Sequence, residues 1–247
     1  MEGKNKKFGL IGKKIGYSFS QSFFQKKFKN ENILNCSYEN FELKSIDEVN
    51  NIFNLKNIHG LNVTIPYKES IIKYLDNLDP ISEKIGAVNT ICFNKQRKTI
   101  GYNTDCHGFE VTLKPFIKKK INKALILGTG GASKAVKYVL GKYNIKTTLV
   151  SRSPVGSQIS YNEINKNILI KNKMIINCTP VGTFPNIDEY PNINYSYLSK
   201  NNILIDLIYN PKKTKFIKKG LKKGCLISNG EKMLINQAEK SWILWNK

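Results

Sequence analysis

"KALILGTGGASKAVKYVLGKYNIKTTLVSRS", residues 123–153, is the stretch that indicates the fold of this chain. The apolar run ALIL ends in a cluster of glycines, an amphipathic segment follows, and a second apolar run, TTLV, comes next. This succession predicts a buried strand, a tight turn, a helix and a second strand parallel to the first. A βαβ unit of this kind is typical of a doubly wound α/β domain.

The glycine turn carries the first functional signal. Gly128, Gly130 and Gly131 lie where the strand ends and the helix begins, and Ser133 takes the last position of a G-x-G-x-x-G pattern. Glycines there let the backbone approach a pyrophosphate at the helix N-terminus. The pattern alone also fits a plain turn, but the strand–turn–helix context favours dinucleotide binding.

The end of the second strand indicates which dinucleotide is bound. NAD-binding units place an acidic residue there to bind the ribose hydroxyls, whereas this chain has Ser151, Arg152 and Ser153. A guanidinium offers planar, forked donors that suit a 2′-phosphate, so NADP is predicted. A solvent-facing arginine is the alternative. The only other arginine, Arg97, lies in a predicted hairpin turn.

The rest of the chain repeats the alternation of strands and helices. Further apolar runs follow in KMIIN, NILID and CLIS. Residues up to about 104 also alternate between strand-like and helix-like segments, and KESIIKYLDNL, residues 68–78, is one of the predicted helices. The predicted fold class is α/β, with two α/β domains flanking a cleft and the second a Rossmann-type doubly wound parallel sheet. The predicted domains are a substrate-binding catalytic domain, 1–104, completed by a C-terminal helix, 230–247, and an NADP-binding domain, 105–229.

Composition limits the class of protein. The apolar runs are far shorter than the roughly 18 to 20 residues of a membrane span, and we identify no signal peptide, which indicates a cytoplasmic protein without a membrane partner. The five cysteines are scattered without a C-x-x-C pair. His59, just before a predicted strand, and His107 have no partner at metal-ligand spacing, so no metal site is predicted.

Charge is the strongest compositional feature. The chain has 40 Lys+Arg and 18 Asp+Glu, a formal net charge of +22. Such a charge attracts nucleic acid, and a basic nucleic-acid-binding protein is therefore an alternative function. The lysines are spread over nearly every segment without a reader motif, which favours a solvated lysine-rich surface and no nucleic-acid partner.

The stretch GLNVTIPYK, residues 60–68, predicts a strand that ends at a proline and then delivers a lysine. Pro66 cannot donate the next ladder bond, so Lys68 leaves the sheet at a defined point. Asn89 precedes another predicted strand, and Asn103 and Asp105 lie where the first half ends. Amides with one lysine and one carboxylate suit a polyhydroxylated acid.

The motifs NVTIPYK, AVNT, GYNTD, NCTPVG, DLIYNPKKT and NGEKMLINQA resemble, essentially end to end, those of the shikimate dehydrogenase family. The resemblance implies NADP-dependent reduction of 3-dehydroshikimate to shikimate, a step of aromatic amino-acid biosynthesis. It assigns Lys68 as the catalytic lysine and Asp105 as its partner. An NAD-using quinate/shikimate dehydrogenase is the nearest alternative, and we expect a monomer or a homodimer.

The resemblance also implies residues that bind the substrate. Ser18 and Ser20 would hold its carboxylate, although Tyr17 and Gln21 stand where the family usually has histidine and proline. For Ser20 a helix N-cap is the alternative, and for Gln237 an exposed position on the terminal helix. The full predicted set is Ser18, Ser20, Thr64, Asn89, Asp105, Tyr209 and Gln237.

The cofactor residues follow in the same way. NCTPVG matches a turn beside the nicotinamide ribose, with Thr183 where methionine is common. The family often has a further basic residue soon after the arginine, whereas SRSPVGSQ continues without one. The full predicted set is Gly128, Thr129, Gly130, Gly131, Ala132, Ser151, Arg152, Ser153, Thr179, Leu207, Gly230 and Met233.

Overall fold

The structure, a computed structural model, describes residues 5–16 and 18–247. Tyr17, which departs from the family pattern, lies outside these residues. The chain divides into two compact units, Met1–Thr104 with Ala238–Lys247, and Asp105–Gln237. Residues 230–237, which the sequence assigns to the first domain, cluster with the second unit. Among the described residues, no helix is long and apolar enough to cross a membrane.

The first unit contains a six-stranded mixed sheet with strand order β2-β1-β3-β5-β6-β4. Strand β5 is antiparallel to both of its neighbours, and the other pairs are parallel. The strands are β1 (Lys6–Gly12), β2 (Cys36–Glu42), β3 (Ile58–Val63), β4 (Asn77–Leu78), β5 (Thr90–Phe93) and β6 (Thr99–Tyr102), and the helices are α1 (Phe19–Asn30), α2 (Val49–Phe53) and α3 (Pro80–Ile85).

Helix α1 begins after a serine cap. The Ser18 hydroxyl accepts the backbone N–H of Ser20 at 3.1 Å, and this satisfies one donor that the first helical turn leaves without a partner. The cap is therefore Ser18, and the alternative interpretation of Ser20 as the N-cap is wrong. Ser20 instead lies in the first turn and is buried.

The segment 68–78, predicted as a helix, forms only a short 3₁₀ turn at Ser70–Tyr74. The helix does not continue because Asp76 instead pairs with Thr99, 23 positions later in the chain. The Asp76 carboxylate accepts both the N–H and the hydroxyl of Thr99 at 2.8 Å. The chain then joins the edge of the sheet as β4. His59, predicted to precede a strand, lies inside β3.

The second unit contains a six-stranded parallel sheet with strand order β12-β11-β10-β7-β8-β9. Its strands are β7 (Lys123–Leu127), β8 (Lys146–Ser151), β9 (Ile159–Ser160), β10 (Met174–Asn177), β11 (Ile203–Asp206) and β12 (Leu226–Ser228), and the helices are α4 (Asp105–Ile117), α5 (Gly131–Lys142), α6 (Lys166–Lys171), α7 (Lys215–Leu221) and α8 (Glu231–Trp245). Apolar clusters cover both faces of this sheet, as the near-continuous apolar runs of β7, β10 and β11 predict.

Helix α8 begins in the second unit and ends in the first. Within the first unit, Trp242 and Trp245 join an aromatic cluster with Phe8 and Phe24, and the Trp245 indole N–H donates to the Ile91 carbonyl at 3.0 Å. Residues 238–245 of α8 thus pack within the first unit.

Candidate active site

Backbone hydrogen bonds fix the origin of Lys68. Its carbonyl accepts the N–H of Val88 at 2.7 Å, and the N–H of Thr64 donates to the Ile11 carbonyl at 2.9 Å. The buried hydroxyl of Tyr67, the residue before Lys68, donates to the Leu43 carbonyl at 2.9 Å. These bonds place Thr64 and Lys68 at the carboxyl end of β3, on segments with little freedom to move.

Asn89 lies beside the same segment. Its carbonyl accepts the N–H of Val63 at 2.9 Å, and its side-chain Oδ1 accepts the N–H of Thr104 at 2.6 Å. Asn89 is 3% exposed. The structure thus brings together Thr64, Lys68 and Asn89, three of the residues predicted from sequence.

The two serines predicted to bind the substrate carboxylate lie at the start of α1. Ser18 caps the helix, so its oxygen already serves one backbone donor, whereas Ser20 lies beside the phenol of Tyr38. Burial raises the pKa of Tyr38, so this phenol stays neutral and acts as a hydrogen-bond donor.

In the second unit, the glycine turn leaves room for an anion. Gly128 has φ +103°, which an L side chain rarely adopts, and a Cβ there would lie 3.0 Å from the Thr179 methyl group. A Cβ added at Gly130 would meet nothing within 4 Å, and no side chain caps α5 at this end. An open space in front of an uncapped helix N-terminus fits a pyrophosphate.

The residues at the end of β8 fit the 2′-phosphate of the same dinucleotide. The Ser151 hydroxyl accepts the N–H of Ser153 at 3.2 Å, which shapes the turn around the exposed Arg152. The neighbouring Tyr161 has its pKa raised by burial, and the positive charge of Arg152 opposes the rise. Arg152 is thus a charged donor held at the end of the second strand.

A buried network that the sequence analysis missed joins the loops after β10 and β11. The Thr179 hydroxyl donates to Asn177 Oδ1 at 2.6 Å, and Asn177 Nδ2 donates to Asp206 Oδ1 at 3.0 Å. The Thr214 hydroxyl donates to Asp206 Oδ2 at 2.5 Å. Burial raises the pKa of Asp206 to about 6, and these hydrogen bonds oppose the rise.

The signal for this network was present in the motifs. Asn177 and Asp206 each end an otherwise apolar strand, and the carboxyl ends of neighbouring parallel strands meet at one edge of a sheet. Predicting that these two side chains touch would still have required the strand order, in which β10 and β11 are adjacent.

The remaining predicted residues occupy distinct positions in the second unit. Gly230 packs against the backbone of Leu207, and Met233 is buried in the apolar cluster that contains Phe109. Tyr209 is half-buried after β11.

Two further predicted residues are buried. Asp105 opens α4 and is 5% exposed. Gln237 is 8% exposed and donates to the Leu234 carbonyl at 3.0 Å, so its alternative interpretation as an exposed helical residue is wrong.

Comparisons with known proteins agree with these motifs. Residues 10–91 match the family model described as the shikimate dehydrogenase substrate binding domain. The chain is 40% identical, over 96% of its length and 95% of the relative, to "Shikimate dehydrogenase (NADP(+))" of Clostridium botulinum strain Hall.

Solved structures give the same result. Shikimate dehydrogenase 1 from Peptoclostridium difficile superposes with a TM-score of 0.85 at 39% identity, covering 98% of this chain and 91% of that one. A shikimate 5-dehydrogenase from Thermus thermophilus, in complex with NADP(H) and shikimate, has a TM-score of 0.84 at 25% identity, with 97% and 93% covered.

Proposed function

The chain belongs to the shikimate dehydrogenase family, and we propose that it catalyses the reversible NADPH-dependent reduction of 3-dehydroshikimate to shikimate. The observation that carries this proposal is the 40% identity along 96% of the chain with an NADP(+) shikimate dehydrogenase. The NADP preference is supported by the Ser151-Arg152-Ser153 sequence at the end of β8, where no carboxylate opposes a 2′-phosphate.

We assign most of the substrate ligands to the first unit and the cofactor ligands to the second. Ser18 and Ser20 would bind the substrate carboxylate, and Thr64 and Asn89 its hydroxyl groups. Gly128–Ala132 would hold the pyrophosphate through backbone N–H groups, and Arg152 the 2′-phosphate. Tyr209 and Gln237 complete the proposed substrate ligands, and Thr179, Leu207, Gly230 and Met233 the proposed cofactor ligands.

The proposed chemistry needs one proton at the substrate oxygen. When bound, the nicotinamide supplies or accepts a hydride at C4. In the direction of reduction, Lys68 donates a proton to the oxygen of the ketone as its carbon becomes C–H, and in oxidation Lys68 takes the proton from the hydroxyl. Asp105 is the second proposed catalytic residue and accepts a hydrogen bond from a substrate hydroxyl.

The support for Lys68 is that its backbone is held by Val88, next to Asn89. The support for Asp105 is that it follows Thr104, whose N–H is bonded to the Asn89 side chain. A catalytic group fixed close to substrate ligands needs little reordering before the reaction. A cytoplasmic location and a monomeric or homodimeric state stay predictions.

A single set of assays tests the proposal. Purified protein is given shikimate with NADP, shikimate with NAD, and quinate with each cofactor, and reduction of the cofactor is followed by absorbance. We expect the highest kcat/KM for shikimate with NADP. Equal or higher kcat/KM with quinate or with NAD would contradict the assigned substrate or cofactor, and no turnover would contradict the function.

A further inference from the structure

A continuous set of buried polar side chains runs through the first unit. Its members lie on α1, β2, β3 and α8, at or just before the start of β5, and just after the end of β6. Each is 9% exposed or less. We call this set the polar network; it consists of Ser20, Tyr38, Asn62, Asn89, Thr90, Thr104 and Ser241. Only Ser20 and Asn89, at its two ends, are among the residues proposed to bind substrate.

The first half of the network passes through an amide. Ser20 lies beside Tyr38, on the helix whose Phe24 ring stacks on the Tyr38 ring at 4.6 Å. The Tyr38 hydroxyl donates to Asn62 Oδ1 at 2.8 Å. Asn62 Nδ2 lies 3.0 Å from Ser241 Oγ, 3.2 Å from Thr90 Oγ1 and 3.2 Å from the Asn89 carbonyl. Both ends of the Asn62 amide are therefore occupied, which fixes its orientation.

The second half is a triangle of hydroxyl groups. Thr90 Oγ1 lies 2.8 Å from Ser241 Oγ and 3.2 Å from Thr104 Oγ1, and the Thr104 and Ser241 oxygens are 3.2 Å apart. Thr90 and Thr104 both reach Asn89 Oδ1, at 3.2 Å and 3.1 Å. The triangle thus connects the amide of Asn62 to that of Asn89.

A buried network of this kind is rigid when its members satisfy one another, because each lost bond leaves a polar group without water. Asn89 Oδ1 accepts the Thr104 N–H and two hydroxyl groups, and turning the amide over would lose the bond from the Thr104 N–H, which only an oxygen can accept. The same bonds run through Asn62 to Tyr38, which lies beside Ser20, and so relate the position of Asn89 to that of Ser20.

We propose that Tyr38, Thr90 and Ser241 are positioning residues for the substrate, which hold the Ser20 hydroxyl and the Asn89 amide in one fixed arrangement. This inference rests on the proposed function, since it concerns how the same substrate is bound. A short acid bearing a carboxylate at one end and hydroxyl groups along its ring needs both groups at a set separation. Ser241 extends this role to the part of α8 that follows the second unit in the sequence.

Three variants remove hydroxyl groups from the network while keeping side-chain shape: Tyr38→Phe, Thr90→Val and Ser241→Ala. In Tyr38→Phe the ring keeps its stacking on Phe24, with centroids 4.6 Å apart. We expect KM for shikimate to rise by roughly threefold to tenfold in each, the effect of one hydrogen bond. KM for NADP should stay unchanged, because the glycine turn and Arg152 are untouched.

Matched controls separate positioning from general stability. Tyr195→Phe removes a buried hydroxyl that donates to the Pro191 carbonyl in the second unit, and Ser82→Ala removes a buried hydroxyl bonded to Asp79. Both should lower the melting temperature without a change in KM for shikimate. Thr90→Ser keeps the hydroxyl while losing the methyl group, and should restore most of the affinity that Thr90→Val loses.

The outcomes are distinguishable. If the wild-type protein oxidises shikimate and the three network variants change KM no more than the two controls, the positioning role is overturned and the function stands. Failure of Thr90→Ser to recover affinity relative to Thr90→Val also overturns it. If the wild-type protein binds NADP without oxidising shikimate, the proposed function fails, and this inference fails with it.

Discussion

A Cβ atom added at Gly230 would lie 2.0 Å from the carbonyl oxygen of Leu207. The N–H of Gly230 also donates to the Ile208 carbonyl at 3.0 Å, so the loops after β11 and β12 meet backbone to backbone. Only glycine permits this approach.

We therefore expect Gly230→Ala to push these two loops apart, at a cost of about 1–3 kcal/mol in the free energy of unfolding. Because Leu207 and Gly230 are both proposed cofactor ligands, the dissociation constant for NADP should rise as well. Urea unfolding and cofactor titration measure the two effects.

Gly141→Ala is the control for that change. Gly141 lies in α5, and a Cβ there would meet nothing within 4 Å. Since alanine is the better helix former, this variant should be more stable by about 0.5–1 kcal/mol. Similar destabilisation by both substitutions would contradict the close approach.

Lys68→Ala should reduce kcat by roughly 10²–10⁴-fold, because it removes the proposed proton donor. The dissociation constant for NADP should stay the same. Lys73→Ala, which removes an exposed lysine five positions further on, should leave turnover intact. A Lys68→Ala variant that keeps wild-type kcat would refute the catalytic assignment.

The chain has two arginines, and we expect different consequences from substituting them. Arg152→Ala should raise KM for NADP by roughly 10- to 100-fold, through the loss of charged hydrogen bonds, and change KM for NAD little. An equal rise for both cofactors would show that Arg152 does not recognise the 2′-phosphate.

Arg97 provides the comparison. Its guanidinium donates to the carbonyls of Phe53, Leu55 and Ile58 and packs on the Phe93 ring at 4.5 Å. Arg97→Lys cannot reproduce this set of bonds, so it should lower the melting temperature and leave both cofactor constants unchanged.

Asp206 gives a pH dependence with a definite sign. Its pKa is raised from 3.8 to about 6 in the folded protein, so the folded state binds the proton more tightly than the unfolded state does. The contribution to stability is complete below about pH 4 and is lost as the pH rises through about 6. The loss amounts to roughly 3 kcal/mol, from 1.36 kcal/mol for each pKa unit.

Asp206→Asn removes this titration while it keeps the shape of the protonated acid. We expect wild-type stability minus that of the variant, measured by urea unfolding, to fall between pH 4 and pH 7. A difference that is constant with pH, or that grows, would contradict the raised pKa. Other carboxylates titrate in both proteins and cancel in the comparison.

The sequence was informative where local pattern decides structure. The glycine turn after ALIL predicted β7, α5 and β8, and Pro66 predicted that Lys68 would leave the sheet at a defined point beyond the end of the strand. Each depends on residues within one βαβ unit or one strand end, where backbone geometry limits the alternatives.

Contacts between distant segments were less predictable. The hydroxyl of Ser241 meets Asn62, 179 positions earlier, and a single serine beside the tryptophans of α8 gives no sign of that partner. The helix predicted after Lys68 is shortened by the bonds between Asp76 and Thr99. Such pairs arise from sheet order and helix packing, so they follow from the tertiary structure and not from propensity.

The packing of Trp245 against Gly60, where a Cβ would lie 2.3 Å from the indole ring, has a consequence for synthesis on the ribosome. Residues 238–247 complete the unit formed by residues 1–104, so that unit lacks part of its core until all of residues 105–237 have been translated. The amino-terminal segment must therefore wait, with aromatic surface uncovered, while the intervening unit is free to fold first. The first unit therefore begins to leave the ribosome before the second, but it can be completed only after the second has been synthesised.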